Sequence, residues 1–213
     1  MSRINQVLEA LNNMFPDANV ELIHHNNFEL LVAVVLSAQT TDISVNKITP
    51  KLFNKYPTPE LLAEAEIHDV ETLIRSIGLY RNKAKNIKML ASEITSKFNG
   101  EVPGNRSDLE SLPGVGRKTA NVVLSNAFGI PALAVDTHVA RVSVRLGLAK
   151  SGDGVFDIEK KLMKKIPKEL WQKVHHQFIF FGRYHCLAKK PKCYECPLFD
   201  LCKYPDKNLN DNK

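Results

Sequence analysis

A chain of 213 residues, 44% of them hydrophobic and 24% charged, can bury a sizeable core in one or two domains and has an ordinary globular composition. A formal net charge of +6 favours a polyanionic partner. The polar start Met1-Ser2-Arg3-Ile4-Asn5 does not read as a secretory signal, and the longest apolar run, Leu30 to Leu36, is too short to span a bilayer, so a cytoplasmic protein without a membrane partner is expected.

Taken in order, Ile4, Val7, Leu8 and Leu11 predict an amphipathic first helix closed at Phe15-Pro16. Phe28 to Ala38 is dense enough in valine and leucine to pass for a strand. Leu31, Val34, Val35 and Ala38 also fit helical spacing, and no partner strand is in sight, so the segment reads as a buried helix. Val45, Ile48, Thr49 and Leu52 extend the pattern, with Thr49-Pro50 reading as an N-cap and first-turn proline where one helix gives way to another. Thr58-Pro59-Glu60 repeats that signal. An apolar face at Val70, Leu73, Ile74 and Ile77 then ends at Gly78, and another follows at Ile87, Leu90, Ala91 and Ile94. Between these two helices lies a Leu79-Tyr80 tip beside Arg81, Lys83, Lys85 and Lys88, a layout suited to presenting a wedge to a base stack.

The next stretch, Leu112-Pro113-Gly114-Val115-Gly116-Arg117-Lys118-Thr119-Ala120, organises the rest. Gly114 and Gly116 bracket one apolar residue, as a tight turn needs when its backbone must take positive φ or approach something closely. Ser107-Asp108-Leu109-Glu110 has the spacing of a capping box before it, and Ala120, Val123, Leu124 and Ala127 form a helical face after it, stopped by Gly129. The reading is helix, hairpin, helix. The backbone N–H groups opening the second helix suit an anion such as a phosphodiester. Arg117 and Lys118 stand in that first turn, where cations are normally unfavourable, which points to a use for them. By phase, Lys118 faces away from the core side, either as a reactive amine or as a phosphate clamp.

Asp136 in Ala134-Val135-Asp136-Thr137-His138 sits where the N-cap of the next helix belongs, and Gly147 stops that helix. Pro167 opens a further one, in which His175 and His176 read as packing or surface residues beside Trp171, Val174, Phe178 and Phe181. The polar end from Asn208 to Lys213 is expected to fray. No alternating strand pattern stands out, so the fold class is all-α.

Four cysteines crowd into 17 residues as Cys186-x6-Cys193-x2-Cys196-x5-Cys202, a metal-ligand pattern for a reducing compartment rather than a disulfide framework. Structural zinc and an iron–sulfur cluster both remain open. Because zinc modules pair two short knuckles and only one short pair exists here, the spacing leans toward [4Fe–4S]. Lys189, Lys190 and Lys192 lie in the first loop, positioned to meet an anionic surface.

With hairpin, Val-Asp-Thr-His segment and cysteine spacing in view, the sequence resembles the endonuclease III family, base-excision DNA glycosylases with AP lyase activity, from about Phe28 to Cys202. The resemblance implies that Lys118 forms the Schiff base and Asp136 is the catalytic aspartate, and that Cys186, Cys193, Cys196 and Cys202 hold a [4Fe–4S] cluster. It implies that Gln39 and Leu79 fill the gap left by a flipped nucleotide in damaged or abasic double-stranded DNA, and that His138 helps line the same groove. Gly114, Gly116, Arg117, Lys189 and Lys190 complete the expected DNA contacts. Asp42 and Glu110 match acidic positions of the family, and Val144 stands where many relatives are polar. The implied architecture is two helical domains with a DNA groove between them: a six-helix barrel with the hairpin over 21–130, and a cluster domain over 131–213 joined by the N-terminal helix, 1–20. A monomer acting at the nucleoid on oxidised pyrimidines is the expected form. Its chemistry needs a neutral Lys118 amine, to which a helix N-terminus and partial burial would both contribute.

Two rivals follow. An adenine-mismatch glycosylase shares hairpin, aspartate and cluster but lacks the hairpin lysine. A non-catalytic iron–sulfur or zinc module would use Lys118 only as a clamp and Asp136 only as a cap.

Overall fold

The computed structural model describes residues 2–210; the final three residues of the tail expected to fray lie outside them. Among the described residues the chain is all helical, and no helix is long and apolar enough to cross a membrane. Two compact units divide it, one built from residues 1–20 and 131–213, the other from 21–130.

The second unit holds α2 (Asn27–Leu36), α3 (Asp42–Lys55), α4 (Pro59–Glu64), α5 (Ile67–Ile74), α6 (Tyr80–Phe98), α7 (Arg106–Ser111) and α8 (Arg117–Ala127). That is one segment more than the six expected, two of them only six residues long. Every residue from Phe28 to Leu36 is buried and all but Glu29 are apolar, which is why α2 mimics a strand in sequence. The Thr49-Pro50 boundary is overturned: α3 runs straight through Pro50, starting from Thr41, whose hydroxyl accepts the Ser44 N–H at 3.2 Å. Val45, Ile48, Leu52 and Phe53 are buried on both sides of the proline, so burial holds the helix together across the missing backbone donor. The capping box at Ser107 is also corrected. Asn105 caps α7 by accepting the Asp108 N–H at 3.0 Å, and Glu110 pairs with Arg106 at 3.6 Å.

The first unit joins α1 (Arg3–Met14) to α9 (Thr137–Arg145), α10 (Val155–Lys165) and α11 (Trp171–Phe180), which begins after a short 3₁₀ turn and runs on as a π turn, Phe181–His185. Helix α10 has no counterpart in the sequence reading, although Ile158 and Leu162 are buried four apart and lysines fill its last turn. Val7 and Leu11 of α1 share one core with Val139, Val142, Ile158, Leu162, Val174 and Phe178. The side chain of Gln177 ties α1 to α11 by donating to the Phe15 carbonyl at 3.2 Å.

His175 and His176 are both buried, as packing residues should be, and the His175 Nδ1 lies 2.9 Å from the Ala134 carbonyl. Burial, with smaller contributions from His175 and Arg183, pushes the His176 pKa from 6.5 down to about 3. Between those values the unfolded chain takes up a proton that the folded chain refuses, so this stability is complete above about pH 6.5 and is lost as the pH falls toward 3. Thermal melts of wild type and His176→Gln should therefore converge on acidification, with the wild type losing more stability between neutrality and about pH 5.

Candidate active site and cluster site

The hairpin is built as the glycines require at one position and not at the other. Gly114 has a φ of +80°, and a Cβ there would stand 3.2 Å from Asn86 and from Val35, so both conformation and contact demand glycine. Gly116 has ordinary backbone angles, and a Cβ on it would meet nothing within 4 Å. Its bareness therefore answers to no neighbour inside the protein. Val115 between them is buried, and its N–H returns to the Leu112 carbonyl at 3.1 Å, which locks the turn. Helix α8 starts at Arg117 with no side chain capping Gly116, leaving the helix opening to its backbone donors. Arg117 and Lys118 are exposed, and the partial burial expected of Lys118 is not found. At its far end α8 closes as predicted, with Gly129 at φ +62° and the Ile130 N–H on the Leu124 carbonyl at 3.0 Å.

In the same unit Gln39 and Leu79 share a rare feature. Both are exposed, and both occupy the left-handed region, with φ of 54° and 58°. Leu79, not the neighbouring Gly78, takes the strained position before α6, with its side chain 58% exposed. Strain of this kind clusters where a side chain must be aimed. Of the expected surface cations beside it, Arg81 and Lys85 are exposed, but Lys83 is buried and cannot be one. Asp42 opens α3 and is half-buried.

In the other unit Asp136 caps α9, its carboxylate accepting the Val139 N–H at 2.8 Å while the side chain stays half-buried. His138, one residue into the helix, accepts from Arg141 at Nδ1 over 3.2 Å. Burial holds its pKa below the usual range, with Arg141 and Arg183 adding to the effect and Asp136 opposing it. Arg141 also donates to the Gly182 carbonyl at 2.7 Å and to the Cys186 carbonyl at 3.2 Å, and a Cβ on Gly182 would come within 2.9 Å of His138. The helix that carries Asp136 is thereby fixed to the start of the cysteine segment. Arg145 reinforces this from a buried position, donating to Cys186 Sγ at 3.3 Å and to the carbonyls of Leu187 and Ala188, with Tyr204 under its guanidinium at 3.9 Å. Neither arginine stood out in the sequence; the available signal was charge on the flank of a strongly apolar helix face. Val144 is half-buried between them.

Cys186, Cys193, Cys196 and Cys202 are all unbridged and line one cavity, an atom-free space of about 350 Å³ partly open to solvent. No three His, Cys, Asp or Glu side chains among the described residues converge closely enough for a single metal ion. Four thiols around one space, with Cys186, Cys193 and Cys202 near enough to Cys196 to act on its charge, are a donor set that fits an iron–sulfur cluster. His185 lines the same cavity, and its Nε2 is buried without a hydrogen-bond partner, as a cavity with a further occupant would leave it. Burial raises the Cys196 thiol to about 11 and pushes Cys186 up despite Arg145, so loading must displace protons from these sulfurs. Lys189 and Lys190 are exposed on the loop these cysteines anchor, Lys190 with a φ of 49°.

An all-helical protein with a glycine hairpin at a bare helix start and a four-cysteine cluster loop belongs to the helix-hairpin-helix DNA repair class, and residues 32–168 match the HhH-GPD superfamily base excision DNA repair protein model. Residues 186–202 match the iron–sulfur binding domain of endonuclease III. The chain is 55% identical to endonuclease III of Bacillus subtilis (strain 168) over 203 residues, covering 95% of this chain and 93% of the relative. Two solved structures, a non-covalent endonuclease III–DNA complex and a trapped endonuclease III–DNA covalent intermediate, superpose with TM-scores of 0.92 and 0.91 at 57% identity, each covering 95% of this chain and 96% of the other. The chain belongs to the endonuclease III family. It is accordingly a DNA glycosylase and AP lyase of base excision repair, and its cofactor is a [4Fe–4S] cluster.

Proposed function

We propose that the chain removes oxidised pyrimidines from double-stranded DNA, with Lys118 as nucleophile and Asp136 as its acid–base and electrostatic partner. The observation that carries this is Lys118 itself, an exposed amine in the first turn of an uncapped helix, where a cation weakens the helix and so needs another purpose. The α8 backbone donors and Arg117 grip a phosphate while Gly116 leaves room for the DNA backbone to approach. Gln39 and Leu79 fill the space of the extruded nucleotide, whose unstacking is cheapest when the base is damaged. Lys118 then attacks C1′ as the base leaves, and Asp136 takes the lysine proton or stabilises the cationic sugar. The C1′–O4′ bond then opens, with O4′ taking a proton, to leave a Schiff base between Lys118 and C1′, and loss of its C2′ proton breaks the C3′–O bond to the 3′ phosphate. Lys118 is exposed in the free protein, so bound DNA is what would enclose the amine.

His138 lines the DNA-binding surface. When bound, the cluster held by the four cysteines supplies a rigid cross-link for the loop that presents Lys189 and Lys190 to phosphates. The working form is a cytoplasmic monomer at the nucleoid.

A duplex containing thymine glycol, incubated with the protein and borohydride, should yield a covalent protein–DNA adduct and, without reductant, a nick 3′ to the lesion. A panel of mispaired and alkylated bases should react far less. Base release without nicking would assign a monofunctional glycosylase, and an intact duplex a binding module.

A further inference from the structure

Lys83 is the anomaly of the hairpin-bearing unit. It is 5% exposed, and among the described residues no carboxylate pairs with it. A buried position whose only task was packing would be better served by methionine or leucine, since burying an ammonium without a counter-charge is costly. Its contacts show what the charge is spent on. The backbone N–H of Lys83 makes the opening helical bond of α6 to the Leu79 carbonyl at 3.0 Å, as any residue there would, and it is the Nζ, donating to the Thr40 hydroxyl at 2.6 Å, that uses the charge. Thr40 in turn leans on the carbonyls of Ala38 and Ser37, at 3.5 Å from its hydroxyl and 3.0 Å from its N–H, which closes the loop around Gln39. A side chain rooted in the first turn of α6, directly after the Leu79 cap, thus anchors that turn to the Gln39 loop, and left-handed non-glycine backbone persists only where its surroundings over-determine it.

We infer that Lys83 is a positioning residue that joins the Gln39 loop and the Leu79 tip into a single two-pronged wedge, so that both prongs enter the opened duplex in fixed register. This rests on the proposed roles of Gln39 and Leu79 and adds the part that couples them. A lone prong would be free to relax out of the left-handed region, and a misplacement of about 1 Å costs on the order of a hundredfold in rate.

The test is a double-mutant cycle of Lys83→Met and Thr40→Val, which keep volume while removing the hydrogen bond from either side. Single-turnover excision from a duplex with a paired lesion should fall roughly tenfold to a hundredfold in each variant, and no further in the double variant. The fluorescence of 2-aminopurine beside the lesion should report less unstacking in step with that loss. On an abasic duplex, where no base has to leave the stack, nicking should change much less. Thr40→Ser, which retains the hydroxyl, should recover most of what Thr40→Val loses. Additive losses, or equal losses on both duplexes, overturn the inference in favour of a general packing role, and a Thr40→Val variant with unchanged excision overturns it outright. Gln39→Ala and Leu79→Ala keep the two ideas apart: if they leave excision intact the wedge assignment itself fails, whereas if they impair it and Lys83→Met does not, only the coupling fails.

Discussion

Lys118→Gln should abolish the borohydride-trapped adduct and lower strand nicking by at least about a thousandfold, while leaving DNA affinity within a few-fold of wild type. Glutamine keeps the polarity of the side chain, most of its length and a hydrogen-bond donor, but carries no nitrogen lone pair able to attack C1′. Lys118 is exposed in the first turn of α8, on the side away from Ala120, Val123 and Leu124, so its replacement removes no core contact. Removing a cation from the positive end of a helix should if anything stabilise α8 slightly. Activity and stability are therefore expected to move in opposite directions, a pattern that a structural lysine would not give. The assay compares gel-shifted adduct, nicked product and melting temperature for the two proteins. An undiminished adduct with the glutamine variant would remove Lys118 from the mechanism.

How much of this was legible in the sequence depended on how local the physics was. The turn at Gly114, the Asp136 cap and the Gly129 stop are each fixed within a few residues, and the structure holds all three. Pro50 was misread because its capping signal is equally local, while the force that overrides it, joint burial of Val45 and Phe53, lies across the unit. The same blindness hid α10, whose apolar residues Ile158 and Leu162 sit among lysines and acquire their meaning only against α1 and α9. Charge misled most. Lys83, grouped with Arg81 and Lys85 as a surface cation, is buried, and Arg145 is a buried support of the cysteine segment. A sequence displays how many charges a helix carries but not which of them the fold turns inward. Gln39 and Leu79 are paired in the sequence only by family resemblance, and what the structure adds is the left-handed backbone they share, which no residue type announces.

The chemistry proposed for Lys118 would give its partner, Asp136, two separable duties. Its carboxylate caps α9 through the Val139 N–H, and the same carboxylate is proposed to serve the reaction. Asn is as good an N-cap as Asp, because an amide oxygen accepts the same backbone bond, but it can neither take a proton from Lys118 nor offset positive charge on the sugar. Asp136→Asn should thus melt within about 1 kcal/mol of wild type and still bind an abasic duplex, yet excise the base some 10²–10⁴-fold more slowly. Asp136→Ala should lose both duties, adding roughly 1 kcal/mol of destabilisation to the same kinetic defect. Loss of the negative charge also removes the larger of two influences, with the Gly182 backbone bond, that oppose the downward shift of His138, so the imidazole should titrate at still lower pH in Asp136→Asn, a change visible in its NMR ring resonances. If the asparagine variant excised at the wild-type rate, Asp136 would be a helix cap and nothing more, and Lys118 would need another partner for its proton.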